Sequence, residues 1–183
     1  MPESDEQLML AYAGGNAAAF ETLYSRHKGP LYRFVLRSVK GRGEAEELFQ
    51  DIWVRVVEAA GRYTPQAKFT TWLYTVAHNR LVDHWRAKGL AVVSLDDEET
   101  SAPEPAAPPS AEPHRIVEAR QALDRLAAAL AALPLAQREA FLMHYEGDLT
   151  AAEIAAATGT NAEAAKSRLR YAMNKLKDAV GDD

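Results

Sequence analysis

The chain has 183 residues, room for one ordinary domain or two small ones, and 48% of them are apolar, enough for a core in each. No run approaches the roughly 20 apolar residues that cross a bilayer, and Met1 to Gln7 lacks the basic-then-apolar order of a signal peptide, which predicts a soluble cytoplasmic protein with no membrane partner. The absence of cysteine excludes disulfides, thiolate catalysis and cysteine-held zinc, and a net charge of -5 argues against a domain that grips DNA unaided.

That charge is unevenly spread. Residues 1–90 carry 12 Lys/Arg against 10 Asp/Glu, residues 91–118 carry 1 against 7, and residues 119–183 carry 8 against 9. Non-specific DNA affinity comes from Lys and Arg neutralising phosphates. Neither end supplies enough of it, which favours a protein that borrows DNA affinity from something larger.

From Asp5 to Lys88 apolar residues recur at helical spacing, with breaks at Gly14-Gly15, Gly29-Pro30, Gly41 to Gly43 and Gly61 to Pro65; four or five helices are expected. Glu44 to Ala60 opens with acids, as a helix N-terminus prefers, and carries Leu48, Phe49, Ile52, Trp53, Val56 and Val57 as an apolar stripe. Its other face offers Glu47, Gln50, Asp51 and Arg55. A second long helix is expected over Thr70 to Lys88, with Leu73, Val76, Ala77 and Leu81 toward a core. Between Pro103 and Pro113 five of eleven residues are proline, just after Asp96 to Glu99, a composition that packs no core. The roughly 25 residues after Gly89 could span on the order of 75 Å if extended.

Beyond this linker, Leu123, Leu126, Leu130 and Leu133 stripe an alanine-rich helix that stops at Pro134, and Gln137 to Tyr145 continues as a second helix. The leucines read as an intramolecular packing face, since barely two heptads are present. Thr150-Ala-Ala-Glu153 and Thr160-Asn-Ala-Glu163 have the form of two capping boxes ten residues apart. The first starts a helix over Ala151 to Thr158 that ends at Gly159; the second starts another near Asn161. That is helix-turn-helix spacing, and the N-terminal part of its second helix offers Asn161, Glu163, Lys166, Ser167 and Arg170 to a major groove.

Asp148-Leu-Thr-Ala-Ala-Glu-Ile-Ala followed by Ala165-Lys-Ser-Arg-Leu-Arg resembles the C-terminal promoter-reading domain of extracytoplasmic-function sigma factors. Glu47-Leu-Phe-Gln-Asp-Ile-Trp-Val-Arg-Val resembles that family's polymerase-docking helix, and Phe69-Thr-Thr-Trp-Leu-Tyr-Thr-Val-Ala-His-Asn its strand-opening segment. The resemblance runs from Asp5 to Val180 except for the linker. It implies an all-α fold: two small helical domains, 1–89 and 116–183, joined by a flexible Pro/Ala/acidic linker over 90–115, with a C-terminal helix-turn-helix.

It further implies a role. Glu47, Gln50 and Asp51 would dock on the clamp of the largest subunit of core RNA polymerase, and the second domain on the flap of the second-largest. Tyr63, Lys68, Phe69, Trp72, Tyr74, Asn79, Arg80 and Arg86 would read the melted minus-10 strand, where unstacked bases need aromatic faces and hydrogen bonds. Asn161, Glu163, Lys166, Ser167 and Arg170 would read the minus-35 duplex, with Thr150 and Thr160 mainly capping. Trp53 and Leu73 are expected in the core, while Trp72 and Trp85 are left open between core and surface. An anti-sigma factor is a further partner that the resemblance allows. The chain departs from the family where Thr75, His78 and Glu163-Ala164-Ala165 stand, which bears on the promoter sequence read.

The competing reading is a free-standing helix-turn-helix regulator, which would need a dimerisation surface and more positive charge. An enzyme is not expected: G-x-G-x-x-G, P-loop, G-x-S-x-G and H-E-x-x-H are all absent. No cofactor, metal or small-molecule substrate is expected either, since His78 and His84 are six apart and off a common helix face, and His27, His114 and His144 are scattered.

Overall fold

A computed structural model describes residues 2–90 and 115–181, which form eight α-helices and, among the described residues, no strand. α1 (Asp5–Ala13) starts at a capping box: Ser4 Oγ accepts from the Gln7 N–H and the Gln7 side chain accepts from the Ser4 N–H. α2 (Ala17–Ser38) runs straight through Gly29-Pro30, where a break was expected. An internal proline costs about 3 kcal/mol or more. Buried Ala19 and Leu23 before it and Leu31, Phe34 and Val35 after it share one core, and tertiary packing of that kind sustains the helix.

α3 (Arg42–Ala59) passes through a 3-10 turn (Ala60–Arg62) toward α4 (Phe69–Ala87), close to the two helices expected there. Ion pairs tie α3 to α4: Glu44 meets Lys88 and His84, Asp51 meets Arg80, and Arg55 meets Asp83. Lys88 holds the Glu44 carboxyl below the ordinary range. α4 has no side-chain cap of its own at Lys68; Glu6, from α1, accepts the Phe69 N–H at 2.7 Å instead. Trp85, left open by the sequence, is 2% exposed and belongs to the core with Trp53 and Leu73.

The linker expected over 90–115 lies, apart from its two ends, outside the described residues. The later residues form α5 (Arg115–Ala132), α6 (Leu135–Gly147), α7 (Ala151–Thr158) and α8 (Ala162–Val180). Of the leucine stripe, Leu130 and Leu133 are buried and Leu126 is half-buried, but Leu123 is 65% exposed and is not core. Arg138 donates to the carbonyls of Ala131 and Leu133 at the end of α5, and burial pushes its pKa down.

The two halves do not stand apart. α6 packs on α2, α7 on α4, and buried apolar residues from both halves form one contiguous cluster.

Candidate nucleic-acid and polymerase interfaces

α7 and α8 make the compact turn that the sequence predicts. Thr150 Oγ1 accepts the Glu153 N–H at 3.2 Å and Glu153 accepts the Thr150 N–H at 2.9 Å, so the first capping box forms. Gly159 then ends α7 in the left-handed region, with φ 69°, where glycine is favoured. The second box does not form. α8 is capped by Asn161, whose side chain accepts the Ala164 N–H at 2.8 Å, and Thr160 is left outside the helix. Asn161 outranks Thr as an N-cap residue, which is the physical reason for the one-residue shift.

Glu163, Lys166 and Arg170 are exposed on the first turns of α8 and Ser167 is half-buried. Lys166 and Arg170 are four apart and so share a face. Ala165, Ala172 and Leu176 fasten the opposite face to the core. Lys166 pairs only loosely with Glu163, at 3.5 Å, and Arg170 lies 5.3 Å from the Tyr171 ring centroid. The helix presents its cations on a rigid, capped and solvent-facing surface.

The residues expected to read a melted strand are placed differently. Tyr63, Phe69 and Tyr74 are 7%, 0% and 2% exposed, so in this conformation none offers a ring face to a base. Tyr63 and Phe69 pack under Trp72, with centroids 5.1 and 5.8 Å from it, and Trp72 itself is half-buried. They position Trp72. Residues two positions apart on a helix lie about 200° round its axis, so Tyr74 points away from Trp72, toward Phe34 and Gly147. Burial and the nearby Glu146 carboxylate push its hydroxyl pKa up.

Trp72, Val76 and Asn79 share one face of α4. Val76 and Asn79 line a surface cleft of about 250 Å³ with Arg55, Glu58, Ala59 and Arg62. Arg55 and Arg62, on α3 and in the turn after it, were not among the strand-facing residues expected from the sequence, and Arg55 also pairs with Asp83. Arg80 lies outside this cleft, with Nε and Nη2 on Asp51 Oδ2 at 3.0 and 2.8 Å. Arg86 is exposed.

Glu47 and Gln50 are exposed on α3, next to exposed Val54 and Val57, while Asp51 is engaged by Arg80. This face of α3 is therefore mixed apolar and polar, and Asp51 serves the α3–α4 pairing.

Lys68 meets the other half of the molecule: its Nζ is 3.0 Å from Glu153 Oε1 on α7. Lys68 is held above and Glu153 below their ordinary ranges by this contact, the Thr150 N–H being the larger influence on Glu153. Among the described residues no group of His, Asp and Glu side chains is arranged to hold a metal, and no helix is long and apolar enough to cross a membrane.

Comparison with known proteins matches residues 23–90 to Sigma-70 region 2 and residues 123–176 to Sigma-70, region 4. The chain is 31% identical over 174 residues to the RNA polymerase sigma factor CarQ of Myxococcus xanthus, covering 95% of this chain and 96% of that protein. It is 33% identical over 166 residues to the ECF RNA polymerase sigma factor RpoE of Cereibacter sphaeroides, covering 87% and 85%. In fold it is similar to CnrH, solved in complex with the cytosolic domain of CnrY, at a TM-score of 0.69, 23% identity and 96% coverage of both chains. It is also similar to RpoE of Bartonella quintana, solved with the anti-sigma factor NepR, at a TM-score of 0.65, 23% identity, 88% of this chain and 96% of that one.

Proposed function

The chain belongs to the extracytoplasmic-function sigma factors of RNA polymerase, and from that premise we propose how its residues divide promoter recognition. Its function is to direct core RNA polymerase to specific promoters and to initiate transcription there. The observation that carries this is the order of the two family segments: a region 2 segment precedes a region 4 segment whose α8 leaves Lys166 and Arg170 exposed.

In this proposal residues 1–89 dock on core polymerase and open the minus-10 element, residues 90–115 connect, and residues 116–183 read the minus-35 element and meet the flap. Glu47 and Gln50, with Val54 and Val57 beside them, form the clamp-facing surface, and Asp51 contributes there while pairing with Arg80. An unpaired base stacks on Trp72, which Tyr63 and Phe69 support from beneath, and Asn79 supplies hydrogen bonds from the adjoining cleft. Lys68, Arg80 and Arg86 steer the strand, while Tyr74, packed on Phe34 and turned away from Trp72, supports α4 from the core. At the duplex, Lys166 and Arg170 take guanine edges or phosphates, Ser167 and Glu163 contact base edges, and Asn161 fixes the helix start.

The protein acts in the cytoplasm as a specificity subunit and leaves bond-making to the core enzyme. An anti-sigma factor is a partner of the same kind as the one solved with the Bartonella relative. Run-off transcription from a genomic promoter library, with core polymerase alone and with core plus this chain, tests the assignment. Discrete new start sites are expected only with the chain; retardation of specific DNA by the chain alone, without new transcripts, would replace it with a free-standing regulator.

A further inference from the structure

α4 is anchored from outside its own segment. It starts at Phe69, and its N-cap is Lys68, whose side chain makes no cap hydrogen bond. Lysine is a poor residue for that place, because the first N–H groups of a helix need acceptors and the positive end of the helix dipole repels a cation. The missing acceptor comes from the first helix: Glu6 Oε1 accepts the Phe69 N–H at 2.7 Å, joining residues 63 apart in the sequence. A carboxylate supplies the acceptor and the negative charge together.

Glu6 reaches α4 from a helix that is itself fixed. Ser4 and Gln7 cap α1, and Leu8 and Met9 are 2% and 0% exposed. Asp5, beside Glu6, holds Arg26 Nη1 at 2.9 Å and His27 Nε2 at 2.7 Å on α2, and the His27 ring stands 5.3 Å from that of Phe69. α1 precedes the segment matched to Sigma-70 region 2, which begins at residue 23.

The aromatic platform depends on this bond. Phe69 lies under Trp72, and Tyr63 packs against both. The Tyr63 hydroxyl is buried and has no hydrogen-bond partner among the described residues, so it does not anchor the group. Burial, with Glu6 and then Asp5 adding to it, pushes the pKa of that hydroxyl up, in keeping with its place near the two carboxylates. A Ser or Asp at position 68 would cap α4 locally but would remove a cation assigned above to the strand. With the acceptor supplied by α1, the cation stays.

We propose that Glu6 is a positioning residue for promoter opening: by holding the Phe69 N–H it sets the start of α4, and with it the Trp72 ring that receives the unpaired base. The proposal rests on the sigma-factor reading for the meaning of that base. Glu6 acts through Phe69 and not on DNA, so its loss slows opening and leaves docking on core and duplex reading, which use other faces, unchanged.

The test uses the full chain, free and as holoenzyme. In the free chain Glu6→Ala should speed exchange of the Phe69 amide proton about tenfold, and Glu6→Gln, which keeps an acceptor, should stay within about threefold of wild type. In the holoenzyme, promoter association kinetics separate duplex binding from the opening step. Glu6→Ala should lower the opening rate constant about tenfold, with duplex binding and affinity for core within about twofold, and Glu6→Gln should recover most of the loss. Arg26→Ala removes a neighbouring contact between α1 and α2 without touching α4 and should open at the wild-type rate. Wild-type opening by Glu6→Ala, parallel losses in core binding, duplex binding and opening, or equally slow opening by Glu6→Gln or Arg26→Ala would overturn the assignment. The sigma-factor reading fails separately, through absence of new transcripts with the unsubstituted chain, and the Phe69 amide is followed without any promoter.

Discussion

The two halves of the molecule carry the residues proposed to meet DNA in opposite states. In the second, the residues proposed to read the duplex stand on a capped helix, and Glu163, Lys166 and Arg170 are exposed. In the first, Tyr63, Phe69 and Tyr74 are buried, Arg80 is paired and Lys68 is held by Glu153. The difference follows the targets. A duplex groove exists before binding and is met by a rigid helix. An unpaired base does not exist until the duplex opens, so its reader can be completed late.

The largest expected effect sharpens the preformed side. Lys166→Ala with Arg170→Ala should weaken promoter-specific binding of the holoenzyme on the order of 100-fold, since each such contact is worth roughly 1–3 kcal/mol, and flatten its salt dependence where phosphates are lost. Filter binding at several salt concentrations checks both. Next, Trp72→Ala should slow promoter opening about tenfold, the worth of one stacked base, with little change in duplex affinity. Permanganate reactivity of the melted strand measures this; equal losses in binding and opening would break the contrast between the halves.

The smallest effect concerns the cap beneath the helix-turn-helix. Thr150→Ala should cost about 1 kcal/mol, read as a drop of about 2–4 °C in Tm. Glu153 has a depressed folded pKa, so its contribution is present above the unfolded carboxylate pKa and is lost as pH falls through the folded one. Glu153→Gln should therefore lower stability at neutral pH and flatten the acid limb of the stability curve.

Helix existence was legible because long amphipathic periods and strong punctuation coincide over Leu48 to Val56, Leu73 to Leu81 and Ala151 to Thr158. What misled was local. Gly29-Pro30 reads as a break, yet the core on both sides carries α2 through it, and Thr160 reads as a cap, yet the better-placed Asn161 takes the role. The sequence also separates the two halves by its acidic proline-rich stretch and says nothing of their contact. Glu146 with Arg33 joins residues 113 apart, a pairing that no local pattern encodes. For the proposed site, exposure was not legible, because whether Tyr74 or Trp72 faces outward depends on which helix covers it.

The most direct test of the division between the halves compares transcription from a fully paired promoter with transcription from the same promoter already unpaired at the minus-10 element. Pre-opening should restore most of the activity lost in Trp72→Ala and little of that lost in Lys166→Ala with Arg170→Ala. Equal restoration of both variants, or restoration of the second alone, would contradict the account.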